Sequence, residues 1–364
     1  MLDRITSGLP LPGLGGVRSL VRDLSRFILP APARADVADG APPTDGGAPS
    51  LLPEYVDYGA LMTPPAPFRS LATTLDGFWA EADPDRLRAL CEKVFEVPSS
   101  GAVSCRPVSR HVMITWGQIA RVMSMRPPYD QRGGVAEPQV AIWVPVVLRD
   151  PTRSAARLAM FIPYIWLDNA MSLVDGRELF GYPKSWGWLQ FPVAAGPPVW
   201  KVDAFGLDYA PDALAGRNPL LEVVRSPSVQ AAVEADLGSL EELARDMVTR
   251  LAARDSFPDD VELGIELADD ILHDRIRGVF LKQFRDVRDG LAAALQQVVE
   301  ADYTIVRLSA RPLLNAHHLT VHALDSHPVG TELGLETQAL ELAYRVEMDF
   351  NVGGGRVLWD ANPA

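Results

Sequence analysis

Cysteine is nearly absent from this chain. Cys91 and Cys105 are its only two, without the spacing of a metal set and too few for a disulfide framework. That usage points to a reducing compartment, and both thiols read as small buried apolar side chains. Positive charge is also short: 34 lysines and arginines face 47 aspartates and glutamates, a net charge of −13. With no basic block to offset it, this balance argues against nucleic acid and against anionic membrane surfaces, both of which draw basic faces. No uninterrupted apolar run approaches the ~18 residues of a membrane-spanning helix. At the N-terminus, Asp3 and Arg4 lead into Gly/Pro punctuation where a secretory signal would have a compact apolar core. Phosphate-cradling patterns are missing as well. There is no GxGxxG between a strand and a helix and no GxxxxGK[ST], and Gly353-Gly354-Gly355 is too short and too late to serve. Ser109 and Ser172 lack a GxSxG-type elbow. The expectation is an acidic cytoplasmic protein that uses no cofactor, with no nucleic-acid or membrane partner.

What remains is a core-forming composition, 48% hydrophobic and 22% charged over 364 residues, enough for two average domains or one large one. Val17, Leu20, Val21, Leu24, Phe27 and Ile28 fall at helical spacing, opposite Arg18, Arg22 and Arg26. From Pro30 to Pro53 the chain is mostly Ala, Pro, Gly and Asp, which cannot offset its ordering entropy and reads as a flexible linker. Residues 83–95 predict a helix, with Asp83 as N-cap, Pro84 in the first turn, and Leu87, Leu90, Cys91 and Val94 on one face. Runs rich in Val, Ile, Trp, Phe and Tyr predict strands over 111–119, 140–148, 158–167, 189–193, 199–205, 303–308, 318–324 and 340–350. The breaker-rich loop 126–134 is suited to rimming a cavity. Apolar residues recurring every three or four positions predict two helices, over 229–254 and 267–300.

Two clusters invite chemistry. His317, His318, His322 and His327 suggest a metal at first sight. On a strand, however, His318 and His322 would lie ~13 Å apart, too far for one ion, so no metal site is expected. The second cluster is Lys184, set among Phe180, Gly181, Tyr182 and Pro183 before it and Trp186, Gly187 and Trp188 after it. Burying an ammonium is costly because desolvation disfavours the charged form. A neutral amine in a dry setting is a nucleophile toward ketones and aldehydes. The plain alternative is a lysine snorkelling beside a turn.

The flanking residues weigh between these readings. Trp166-Leu167-Asp168-Asn169, Gly176-Arg177-Glu178-Leu179 and Tyr182-Pro183-Lys184 together resemble the signature of the acetoacetate decarboxylase superfamily. Its lysine forms a Schiff base, and these decarboxylases are a standard example of lysine activation by desolvation or a neighbouring cation. Upstream, Glu137 before Ala141-Ile142-Trp143-Val144-Pro145-Val146 resembles the family's catalytic glutamate. The resemblance covers about residues 55–210 and 297–360.

It implies an α+β fold, an antiparallel cone-like β-barrel with peripheral helices over 54–360; the helical insertion expected at about 225–296 and the tail and linker, 1–53, fall largely outside the resemblance. It further implies a homo-oligomer and iminium/enamine chemistry on Lys184 with a small keto acid or carbonyl compound, by decarboxylation or by aldol and dehydration steps. Glu137 is then the general acid/base, and Arg121, Tyr182, Trp186 and Arg69 are candidate substrate-binding residues. Arg177 and Glu178 could pair to hold the turn, and Gly176 and Gly181 could allow tight backbone turns.

The sequence departs from the family in three places. Ser185 stands where the decarboxylases carry a second lysine, Gln118 and Arg121 occupy the region of an expected second acid, and Arg69 only loosely matches the substrate-side arginine. These losses argue against acetoacetate as the substrate more than against Schiff-base chemistry. A non-catalytic binding or scaffolding role is the alternative from another class.

Overall fold

Long runs of β-branched and aromatic residues, interrupted by turns, dictate a mostly-strand molecule. The computed structural model describes residues 52–57, 63–193, 198–225, 237, 242–243, 270, 273–313, 316–340 and 342–362. The strands are β1 Phe68–Glu81, β2 Ser104–Pro107, β3 His111–Ser124, β4 Val135–Arg149, β5 Arg157–Leu167, β6 Lys184–Gln190 and β7 Val199–Gly206. They continue with β8 Gly216–Arg225, β9 Arg275–Arg285, β10 Ala293–Pro312, β11 His317–Val321, β12 Gln338–Leu340, β13 Leu342–Val352 and β14 Arg356–Asp360. The α-helices α1 Pro84–Cys91, α2 Ala170–Leu179 and α3 Val329–Leu333 accompany them, with a π-turn at Glu92–Glu96 and a 3-10 turn at Tyr129–Gln131.

Neighbouring strands run β12-β11-β8-β7-β6-β5-β9-β10-β13-β1-β3-β4-β2, with β14 on β10. Because β4 also pairs with β5, the path from β5 through β9, β10, β13, β1 and β3 returns to its start and closes a ring. Pairings are antiparallel except where β5 meets β6 and β9. One apolar core packs around Phe78, Trp116, Ile142 and Trp200. A second, around Phe68, Ile119, Ile165, Phe180, Phe280 and Phe350, holds the site.

Several expectations meet the structure directly. Asp83 caps α1, its carboxylate accepting from the amides of Asp85 and Arg86, and Leu87, Leu90 and Cys91 are buried beneath it. Burial raises the Cys91 thiol to about 12 and pushes Cys105 up as well, leaving two inert apolar residues. The runs at 111–119, 140–148, 158–167 and 199–205 lie in β3, β4, β5 and β7. Among the described residues no helix is long and apolar enough to cross a membrane, which says nothing of a span by strands.

Others are corrected. The helix expected over 267–300 is a hairpin of β9 and β10, paired from Ala293↔Arg285 to Thr304↔Arg275. Its turn is set by Asp286, whose carboxylate accepts from the amides of Arg288 and Asp289. Ile276, Val279, Phe280 and Phe284 satisfy a helical count and a strand equally, and ladder pairing decides for the strand. A helical insertion reaching to 296 is therefore excluded. The strand expected at 189–193 begins earlier, at Lys184, and that at 318–324 ends at Val321. The N-terminal helix and linker and most of 229–254 lie outside the described residues. β1 escaped the pattern altogether: a bulge between Ser70 and Thr73 breaks its alternation, and Asp76-Gly77 imitates a turn.

Candidate active site

The lysine stretch is organised by one short helix. Asn169 starts α2, its side-chain oxygen accepting from the Ser172 amide at 3.2 Å. Its side-chain amide donates to the Ala136 carbonyl at 2.7 Å, which ties the helix start to β4 one residue before Glu137. The helix ends at Leu179, and Gly181 then takes φ +78°. A Cβ there would also sit 2.4 Å from the Lys282 Cα, so glycine is required twice over. Tyr182 and Pro183 lead into β6, whose first residue is Lys184.

Both partners of the site are buried, Lys184 at 5% and Glu137 at 7% exposure. Lys184 Nζ donates to Glu137 Oε1 at 2.7 Å and to the Ser172 carbonyl at 3.1 Å. Glu137 and Lys184 are brought together because β4 and β6 both flank β5: Gln139 pairs with Leu167, and Ile165 with Lys184. Gly176 lies within the helix and makes no turn; its role is to leave room. A Cβ there would stand 2.8 Å from Lys184 Cδ and 3.0 Å from Nζ. Arg177 donates to the Lys184 carbonyl at 3.1 Å, and Glu178 accepts from the Tyr55 hydroxyl at 2.8 Å. These two side chains hold the turn by separate bonds.

Lys184 and Glu137 sit on the wall of a cavity of about 120 Å³. Most of the wall is apolar, with Phe68, Ile119, Ile165 and Phe350 among its members. Tyr182 lines it and accepts a 2.8 Å hydrogen bond from the Tyr303 hydroxyl. Burial, foremost, pushes both phenols up, so they remain neutral. The Tyr182 ring centroid lies 5.5 Å from Lys184 Nζ.

The other candidate binding residues sit elsewhere. Arg69 is exposed, since strand alternation turns it outward between Phe68 and Ser70, which line the cavity. Arg121 is exposed as well, beside a bulge that aims Ile119 and Val122 inward. Trp186 is half-buried and is not among the described lining residues. Loop 126–134 contributes none of them either. Ser185 points away from Glu137, its hydroxyl 3.4 Å from the Ile165 carbonyl and 3.5 Å from His327 Nε2.

Among the lining residues that sequence reasoning passed over, three bear on the chemistry. Asp175 precedes Gly176 on α2 and supplies a second carboxyl that β3 lacks. Burial raises it to about 7; Lys184 pulls it down, and Glu137 and Glu178 push it up. Thr73 reaches the cavity from β1, and Tyr303 from β10. Only for Asp175, adjacent to the glycine of the motif, was there a local signal.

No protein-family model and no curated protein matches the sequence. Solved structures do match. Acetoacetate decarboxylase from Legionella pneumophila is similar at a TM-score of 0.52 and 14% identity, covering 90% of this chain and 99% of that one. A second acetoacetate decarboxylase structure is similar at 0.51 and 14% identity, over 83% of this chain and 93% of that one. With a mostly-strand sheet that closes on itself around a buried lysine, this chain carries the acetoacetate decarboxylase fold, as a divergent example of it.

Proposed function

We propose that this protein is a Schiff-base-forming carbon–carbon lyase, acting on a small keto acid or other carbonyl compound through Lys184. The observation that carries this reading is a buried amine 2.7 Å from a buried carboxylate on the wall of an apolar cavity. An amine held this way can be relieved of its proton by Glu137 as it adds to a carbonyl carbon. Loss of water then leaves an iminium, whose positive charge faces Glu137. Electrons from an adjacent carbon–carbon bond flow into the iminium as carbon dioxide or an aldehyde departs, giving an enamine. Glu137 takes a proton from the aldol hydroxyl when an aldehyde departs, or from water when carbon dioxide does, and delivers it to the enamine carbon; water then releases the product. Glu137 and Lys184 are the catalytic residues, and Tyr182 with Tyr303 forms the neutral wall against the substrate. The strand ring is read as the family's cone-like barrel, and the protein as a cytoplasmic homo-oligomer.

Borohydride reduction in the presence of keto acids, ketones and aldehydes should fix a mass adduct on the peptide containing Lys184, and Lys184→Met should abolish it. An adduct that survives in Lys184→Met would defeat the reading. Absence of any adduct would favour a binding protein without catalysis. Ser185, turned toward His327 where the decarboxylases have a second lysine, is the observation on that side.

A further inference from the structure

Three side chains give the cavity its charge: Lys184, Glu137 and Asp175 are the only ionisable acids and bases among the described lining residues, the two tyrosines aside. The single cation is already bound by Glu137. Arg69 and Arg121, the arginines positioned by sequence to meet a substrate carboxylate, lie exposed outside it. A ligand carboxylate would enter as a third acidic group with no second cation, and an unpaired buried carboxylate is among the costliest groups to desolvate.

Two polar atoms on the same wall lack partners. Thr73 Oγ1 and Asp175 Oδ1 are both buried with no hydrogen bond, although buried polar atoms in folded proteins are nearly always satisfied. Thr73 is aimed inward by the β1 bulge: Ser70 and Thr73, three residues apart, both line the cavity where plain alternation would send one of them out. The backbone accommodates this at Ala72, with φ 50° and its amide donating to Asp349 at 2.7 Å. Such a local distortion is typical of positions where a side chain is re-aimed for use. Thr73 pairs with Ile119, which pairs with Glu137, so the hydroxyl stands two strands along the wall from the acid/base. Asp175 stands beside the lysine on α2.

We infer that this site takes an uncharged carbonyl compound bearing a second oxygen, such as a hydroxyketone, with Thr73 and Asp175 holding that oxygen, in preference to a free keto acid. The inference rests on the Schiff-base reading of Lys184. A threonine hydroxyl can donate or accept, and a carboxyl that keeps its proton near neutrality donates. A hydroxyl or carbonyl oxygen can therefore satisfy both, at no cost in net charge.

The test uses the full chain with three compounds of similar size: hydroxyacetone, pyruvate and acetone, each trapped with cyanoborohydride. Labelling of the Lys184 peptide is divided by the rate at which the same compound labels a simple lysine derivative. Hydroxyacetone should exceed pyruvate by about tenfold or more. Thr73→Val should slow hydroxyacetone by about tenfold while acetone, lacking the second oxygen, changes less than about twofold. Pyruvate labelling as fast as hydroxyacetone, or Thr73→Val acting equally on both ketones, overturns the inference while leaving the lysine chemistry intact. No labelling by any of the three removes the Schiff-base reading with it.

Discussion

Arg157 and Lys184 are both buried cations held by carboxylates, and their surroundings differ. Arg157 is fully buried between Asp150 at 2.5 Å and Glu300 at 2.7 Å, and Arg356 reaches Glu300 from the other side at 2.5 Å. Burial pushes Asp150 up, but the Thr152 hydroxyl and amide, with Arg157, hold it below the usual range. This cluster ties β5 to β10, and every charge has a partner. Lys184 has one carboxylate, one backbone carbonyl and an open cavity beside it, with Asp175 close by and unbonded. A guanidinium cannot give up its proton in a protein and cannot attack a carbonyl, whereas an amine can do both. The charge-paired arginine cluster is built to hold strands together. The lysine pair is left incomplete on the cavity side, which is what a reactive site requires.

The contrast can be broken most forcefully at the arginine. Arg157→Met would leave Asp150 and Glu300 buried without their shared cation and should cost about 3–5 kcal/mol, read from urea unfolding. Carbonyl labelling of Lys184 in the folded fraction should not change. A loss under about 1 kcal/mol would show that the cluster is not the strand clamp described.

Gly176→Ala should move stability and chemistry together, where Arg157→Met separates them. The added methyl would crowd Lys184 Cδ and Nζ and move the amine off Glu137, lowering carbonyl labelling by about 10- to 100-fold. Alanine is the better helix former by about 1 kcal/mol, but separating the buried Lys184–Glu137 pair costs more, so the unfolding midpoint should fall. Unchanged labelling would mean that the lysine has room to shift without loss.

The smallest effect belongs to Asp175. Its folded-state value near 7 lies above the ordinary carboxylate range, so the folded protein binds this proton more tightly than the unfolded chain. The associated stability is full below about pH 4 and is lost as pH rises toward about 7. Asp175→Asn has no such loss. Relative to wild type it should gain about 1–3 kcal/mol between pH 5 and pH 8, allowing for partial solvent access. Parallel urea midpoints that shift identically in the two proteins would refute the raised value.

Legibility in the sequence followed the range of the forces involved. Asp83 and its capped helix, the β-branched runs at 140–148 and 158–167, and the lysine motif are local patterns, and they appear where the spacing puts them. The helical reading of 267–300 fails because the apolar spacing there fits two periods, and only pairing with neighbouring strands chooses between them. β1 was invisible for the opposite reason: the bulge that aims Thr73 into the cavity also erases the alternation that would have revealed the strand.

Within the lysine motif itself, sequence determined the residues and tertiary structure decided their work. Asn169 caps a helix and anchors β4, Gly176 clears space, Arg177 clamps the lysine carbonyl, and Gly181 supplies the left-handed turn. Apart from the reach of Asn169 to β4, each of those duties is fixed within some twenty residues by backbone geometry, so the pattern could be recognised along the chain. The meeting of Lys184 with Glu137 across 47 positions, the arrival of Thr73 and Tyr303 from distant strands, and the outward turn of Arg69 and Arg121 depend on which strands pair and in what register. Register is settled by the burial of a whole face at once, and no single stretch of sequence carries that information.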